Sequence, residues 1–141
     1  MKIKNSLLLL LVSLFSLLSC VNESRVYVKL RVEITDTVSE YRIYFYTRIL
    51  DGFKGESLPM ILTITSPDGR RFRDTISFPL AEEGNYGNVE EVRSGIWRDL
   101  RWLYRDGVVF PKSGLWVFSV KQASSDNLQK IRDMGVTIKE K

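Results

Sequence analysis

The chain has 141 residues, 44% of them hydrophobic, enough for one packed domain and too few for two. Its formal charge is +4, but two of the 21 basic side chains, Lys2 and Lys4, stand in the opening segment. The remainder is too balanced for nucleic-acid binding, which needs a concentrated basic face. No histidine and a single cysteine exclude the commonest general base, an internal disulfide and a thiolate zinc cluster, so neither metal nor cofactor is expected.

In chain order, Met1-Lys2-Ile3-Lys4 is a short positive start. An apolar run from Leu7 to Leu18 follows, interrupted by Ser13 and Ser16. As a helix this run spans about 18 Å, short of a hydrocarbon core of about 30 Å, so it is a signal-peptide core and not a stable span. It ends Leu17-Leu18-Ser19-Cys20, which resembles a bacterial lipobox: an aliphatic residue at −3, a small one at −1, then cysteine. The alternative, an ordinary secretory leader with an accidental cysteine, lacks its A-x-A-like cleavage site. The expected organisation is a lipoprotein signal peptide over 1–19, a tether over 20–25 and one domain over 26–141. The membrane is held through acyl chains on Cys20.

From Val26 the period becomes two. Val26, Val28, Leu30, Val32 and Ile34 alternate with Tyr27, Lys29, Arg31 and Glu33, which predicts a strand with one buried face. Thr35-Asp36-Thr37 and Ser39 mark a turn. A second strand runs from about Tyr41 to Leu50, with Ile43, Phe45 and Ile49 toward the core and Tyr44 and Tyr46 on the outer face between Arg42 and Arg48. Met60, Leu62 and Ile64 belong to a third strand. Ser66-Pro67-Asp68-Gly69 turns it tightly, because Pro presets φ and Gly accepts positive φ. The return strand puts Phe72, Asp74, Ile76 and Phe78 on its core face, with Asp74 needing backbone amides, an arginine or a bulge to satisfy it.

Residues 81–95 read as a long polar loop. Leu100, Trp102 and Tyr104 alternate, and Asp106-Gly107 predicts a two-residue hairpin returning through Val108-Val109-Phe110. Pro111-Lys112-Ser113-Gly114 is a further turn. Trp116, Phe118 and Val120 face the core from the next strand. Asp126 caps a short expected helix through about Arg132, and Val136-Thr137-Ile138 closes the chain as a strand. The expected fold is all-β: an antiparallel β-sandwich of seven to eight strands.

Candidate chemistry is sparse. The pairs Glu82-Glu83 and Glu90-Glu91 could supply two carboxylates of a glycosidase, but adjacent acids in a polar loop are more simply solvated. Serine has no histidine to activate it. No catalytic residue is therefore assigned, and the chain is not expected to be an enzyme. Arg70, Arg71 and Arg73 form a basic patch beside a turn, either a contact for phosphate head groups or acidic polymer, or charges that discourage edge pairing. Together with Tyr44 and Tyr46 they are the candidate contact surface. Trp97, Trp102, Trp116 and Tyr104 invite a sugar-stacking reading but fit core and sheet-face positions.

The order of several segments resembles the gliding-motility lipoprotein family GldH of the Bacteroidetes. These are Ile34-Thr35-Asp36-Thr37 before a tyrosine-rich strand, and Leu62-Thr63-Ile64-Thr65-Ser66-Pro67-Asp68-Gly69. Asp74-Thr75, Leu80-Ala81, Phe110-Pro111-Lys112-Ser113-Gly114, Gln122-Ala123 and Ile131-Arg132-Asp133-Met134-Gly135-Val136 follow. The chain departs from the family's pattern at Gly84-Asn85-Tyr86-Gly87-Asn88 and at Ser124-Ser125. The resemblance implies a non-catalytic accessory protein of the envelope, with protein partners in a motility or secretion complex. Without Asp at +2 or a strong acidic run after Cys20, analogy with Bacteroidetes lipoproteins places it at the outer membrane, facing the periplasm. A carbohydrate-binding envelope lipoprotein is the alternative, resting on the aromatic content and the sandwich expectation.

Overall fold

The computed structural model describes residues 27–53, 55–80, 88–123 and 130–141. The leader, Cys20, the tether and the Glu82-Glu83 pair lie outside them. The described residues form eight strands: β1 (Tyr27–Ile34), β2 (Tyr41–Leu50), β3 (Ser57–Thr65), β4 (Arg71–Pro79), β5 (Val89–Ser94), β6 (Trp97–Val108), β7 (Gly114–Gln122) and β8 (Ile131–Glu140). They pair antiparallel in two four-stranded sheets, ordered β1-β7-β3-β4 and β5-β6-β2-β8.

Alternation decides which side of each sheet is buried. In β2 every second residue from Tyr41 to Ile49 is buried, and the residues between are half-buried. Strand β3 buries Leu58, Met60 and Leu62; β7 buries Trp116, Phe118 and Val120. The two apolar faces cover each other, and each fully buried Leu, Ile or Phe contributes about 1.5–3 kcal/mol. Phe78 of β4 meets Trp102 of β6 edge-on, with centroids 5.5 Å apart, joining the sheets across the core. Phe110 closes one end against Tyr41 at 5.3 Å and Trp116 at 5.0 Å. Thr47 is fully buried among these side chains, and its hydroxyl donates to the Asp133 carbonyl at 3.1 Å beside a register shift in the β2–β8 pairing.

Several expectations need correction. Asp106-Gly107 makes no hairpin: β6 runs unbroken to Val108, and the β2–β6 register shifts twice near Ile43. Gly107, at φ 74°, serves an irregularity in the ladder, because a bulge uses the same left-handed conformation as a tight turn. The expected loop over 81–95 contains strand β5, whose residues are mostly exposed and which needs only backbone pairing with β6. Of the helix expected through Arg132, residues 126–129 lie outside the described part, while Ile131 and Arg132 belong to β8. That strand is therefore longer than Val136–Ile138.

Phe72 and Asp74 do not reach the core. Phe72 is 56% exposed, because the first half of edge strand β4 extends past the apolar layer. The β3–β4 register is unbroken, and Asp74 accepts the Thr75 amide at 2.8 Å.

Candidate functional site

Two turns meet at one corner of the β1-β7-β3-β4 sheet. The first links β3 to β4: the Gly69 amide donates to the Ser66 carbonyl at 2.9 Å, and the Ser66 amide donates to the Arg70 carbonyl at 2.9 Å. Pro67 and Gly69, the latter at φ 83°, have the conformations this turn requires. The second, Pro111 to Gly114, precedes β7. The turns are neighbours because β3 pairs with both β4 and β7.

Contacts lock the corner. Lys112 Nζ lies 2.5 Å from Asp68 Oδ2, and Arg70 Nε is 3.3 Å from the same oxygen. The Ser66 hydroxyl donates to the other Asp68 oxygen. The hydrogen bond from Lys112, with that from Ser66 second, holds the Asp68 carboxyl down to about 2. Trp116 Nε1 donates to the Lys112 carbonyl at 2.9 Å. Gly114, at φ 125°, lets the second turn pack on the first: a Cβ there would stand 2.9 Å from Pro67 Cβ.

Between the turns lies an open cleft of about 260 Å³. Ile64, Phe72, Pro111 and Trp116 supply apolar surface, and Arg70, Arg71, Lys112 and Asp68 form its polar rim. One carboxylate among three cations leaves the rim basic. The Ser66 hydroxyl is engaged with Asp68 and the Arg70 backbone. The arrangement suits gripping an apolar side chain next to an acidic group. Among the described residues no group of three or more His, Cys, Asp or Glu is placed to share a metal ion.

The five candidate contact residues do not share one surface. Arg70 lies on the corner turn and Arg71 at the start of β4, both lining the cleft. Arg73 lies two residues along the outer face of β4, opposite Thr63. Tyr44 and Tyr46 are on the outer face of the other sheet, half-buried, and among the described residues no further layer covers them. Arg101 lies over the Tyr44 ring at 5.0 Å, and the Tyr46 hydroxyl donates to Asp99 at 2.8 Å. Burial, then the hydrogen bond to Asp99, raises the Tyr46 phenol above its ordinary value.

The tryptophans divide differently. Trp116 is buried, Trp102 packs against the core, and Trp97 is half-buried. Glu90 and Glu91 lie on β5 and take arginine partners from β6: Arg101 Nη2 is 2.6 Å from Glu90, and Arg98 Nε is 2.6 Å from Glu91. Arg98 is buried and also donates to the Leu80 carbonyl at 3.1 Å. It thereby joins positions on either side of residues 81–87. Periodicity did not single it out, since a charge at a core-facing position reads as an exception until its partner strand is known.

Local sequence pattern does not show the cleft either, because its two turns are about 45 residues apart in the chain. No curated protein and no solved structure matches the chain. The family described as GldH lipoprotein matches residues 23–138, a span that reaches into all eight strands and includes both turns of the corner. The chain belongs to the GldH lipoprotein family and is accordingly a lipid-anchored envelope protein.

Proposed function

We propose that this protein is a non-catalytic accessory component of the bacterial envelope, associated with gliding-motility machinery in Bacteroidetes. It is anchored by acyl chains on Cys20 in the outer membrane and faces the periplasm. Its molecular task is to bind another envelope protein of a motility or secretion complex at the corner cleft. The observation that carries this reading is the coincidence of two things: the family match, and a partly apolar, basic-rimmed cleft built from two turns inside the matched span.

Protein binding is preferred to glycan binding because Trp102 packs against the core and Trp116, where it lines the cleft, is only 9% exposed. Phe72, exposed at the edge of the cleft, is suited to an apolar anchor from a partner. A photo-crosslinking phenylalanine analogue at Phe72 should capture one reproducible envelope protein, while the same probe at exposed Val92 on β5 should not. Repeated failure to capture a protein from intact envelopes at position 72 would sink the proposal. For the anchor, Cys20→Ala should release a folded protein from the membrane fraction, and intact mass should show acylation at a processed N-terminus in the native protein.

A further inference from the structure

The outer face of the β1-β7-β3-β4 sheet carries a predominantly positive charge pattern. Two adjacent rows run across all four strands. One is Lys29, Ser119, Thr63 and Arg73; the next is Arg31, Val117, Thr65 and Arg71. In each row long cations stand on the edge strands and short side chains on the inner ones. The result is a trough of about 390 Å³ floored by hydroxyls, Ile61 and Val117, with Lys29 and Arg71 in its walls and Arg31 and Arg73 outside its lining. Lys121, from inner strand β7, adds a fifth cation at one end. The single carboxylate at an outward position of these four strands is Glu33, one row beyond Arg31 and at the end of β1 away from Lys121. No ion pair joins any of the five cations to a carboxylate among the described residues.

Charges on edge strands also discourage edge-to-edge pairing, but that need is met by either sign. Counted at outward positions in the same way, the edge strands of the other sheet carry Glu90 on β5 and Asp133 and Lys139 on β8. Edge protection therefore explains charge at Lys29, Arg31, Glu33, Arg71 and Arg73 without explaining why four of these five are cations, and it does not apply to Lys121.

We propose that this face is the one the domain turns to its own membrane, where its cations and hydroxyls bind the phosphates of anionic lipid head groups. Chain length supports that occupant. Six residues separate Cys20 from Tyr27, so the start of β1 stays within about 25 Å of an anchor at Cys20. Lys29 and Arg31 follow two and four residues later on the same strand. A tether this short keeps the face at high local concentration over the bilayer, and basic residues gain attraction within a Debye length of an anionic surface. The inference rests on the Cys20 anchor, whose failure the intact-mass measurement detects independently.

The test uses the acylated full protein reconstituted in vesicles of phosphatidylcholine alone or of phosphatidylcholine with phosphatidylglycerol. Amine labelling is read by mass spectrometry at Lys29 and Lys121, with Lys139 of β8 as an internal control. Anionic vesicles should slow labelling of Lys29 and Lys121 about fivefold and leave Lys139 unchanged. Salt at about 0.5 M should abolish the protection, because screening then acts within a few ångströms. The double variant Arg71→Glu, Arg73→Glu should abolish it too while keeping the wild-type far-UV spectrum. Equal labelling on both vesicle types would overturn the proposal, as would equal protection of Lys139. Protection by a soluble acidic polysaccharide on neutral vesicles, without any from phosphatidylglycerol, would assign the face to a polymer and overturn the lipid reading.

Discussion

The two outward faces of the sandwich use charge in opposite ways. On the β5-β6-β2-β8 face, arginines meet carboxylates: Arg48 grips Asp99 with two hydrogen bonds of 2.6 and 2.9 Å, Arg101 meets Glu90 at 2.6 Å, and Arg42 meets Asp106 at 3.2 Å. On the β1-β7-β3-β4 face, five cations stand without such partners among the described residues. A neutralised face is complete in itself, whereas a predominantly positive face repels itself and gains only when something anionic arrives. Similar numbers of charged residues therefore do different work: one set fastens strands to each other, and the other is available to the surroundings.

The strongest way to test this contrast is inside the paired sheet. Arg98 is buried between Glu91 and the Leu80 carbonyl, so Arg98→Ala should lower unfolding stability by about 3 kcal/mol in urea titration, because it removes a buried side chain with its hydrogen bonds to Glu91 and Leu80 and leaves Glu91 the longer 3.4 Å contact with Arg93. A loss comparable to that of an exposed arginine would remove the distinction between fastening and free charge. Next comes the corner that joins the turns. Gly114→Ala adds a methyl group against Pro67 at a left-handed φ and should cost about 2 kcal/mol. It should also weaken crosslinking from position 72.

The direct comparison of the faces is smaller. Asp99→Asn should cost about 1 kcal/mol, limited by solvent screening, because Arg48 is 40% exposed. Arg73→Ala on the other face should change stability by less than about 0.5 kcal/mol. Equal effects would contradict the contrast.

Acid provides a last and gentler probe. The Asp99 carboxyl is lowered by its hydrogen bond from Arg48, Asp36 by the Ser39 hydroxyl, and Asp68 by Lys112. A carboxyl depressed in the folded state binds fewer protons there than when unfolded, so its stabilisation is full above the unfolded value near 3.8 and fades as pH falls toward 2. Chemical denaturation followed from pH 5 downward should show that decline, and Asp99→Asn should make it shallower. An unchanged slope in the variant would mean that the Arg48 pairing contributes nothing in solution.

Legibility in the sequence followed how strictly a segment alternates. Strands β2, β3 and β7 bury one face along most of their length and β1 half-buries one, so hydrophobic period marks them and their inward residues. Strand β5 reads as loop in the sequence because Val89 to Ser94 places little apolar surface in the core and is held by pairing to β6. Asp106-Gly107 reads as a hairpin because a left-handed glycine serves turn and bulge alike. Asp74 reads as core-facing because local periodicity cannot tell where the opposing sheet ends.

The residues by themselves determined the all-β class, the tight Ser66–Gly69 turn and the apolar positions of the main strands, since each depends on neighbours a few positions apart. The strand order 1-7-3-4 came only with the tertiary structure, and both functional surfaces depend on it. It brings residues 66–72 beside 111–116 to make a cleft. It also sets Lys29 and Arg31 in rows with Arg73 and Arg71, so that cations scattered along the chain become one basic face. Periodicity reports which side of a strand is wet, but not which strands will share that side, because pairing between distant strands is decided by how the two apolar faces close over a common core.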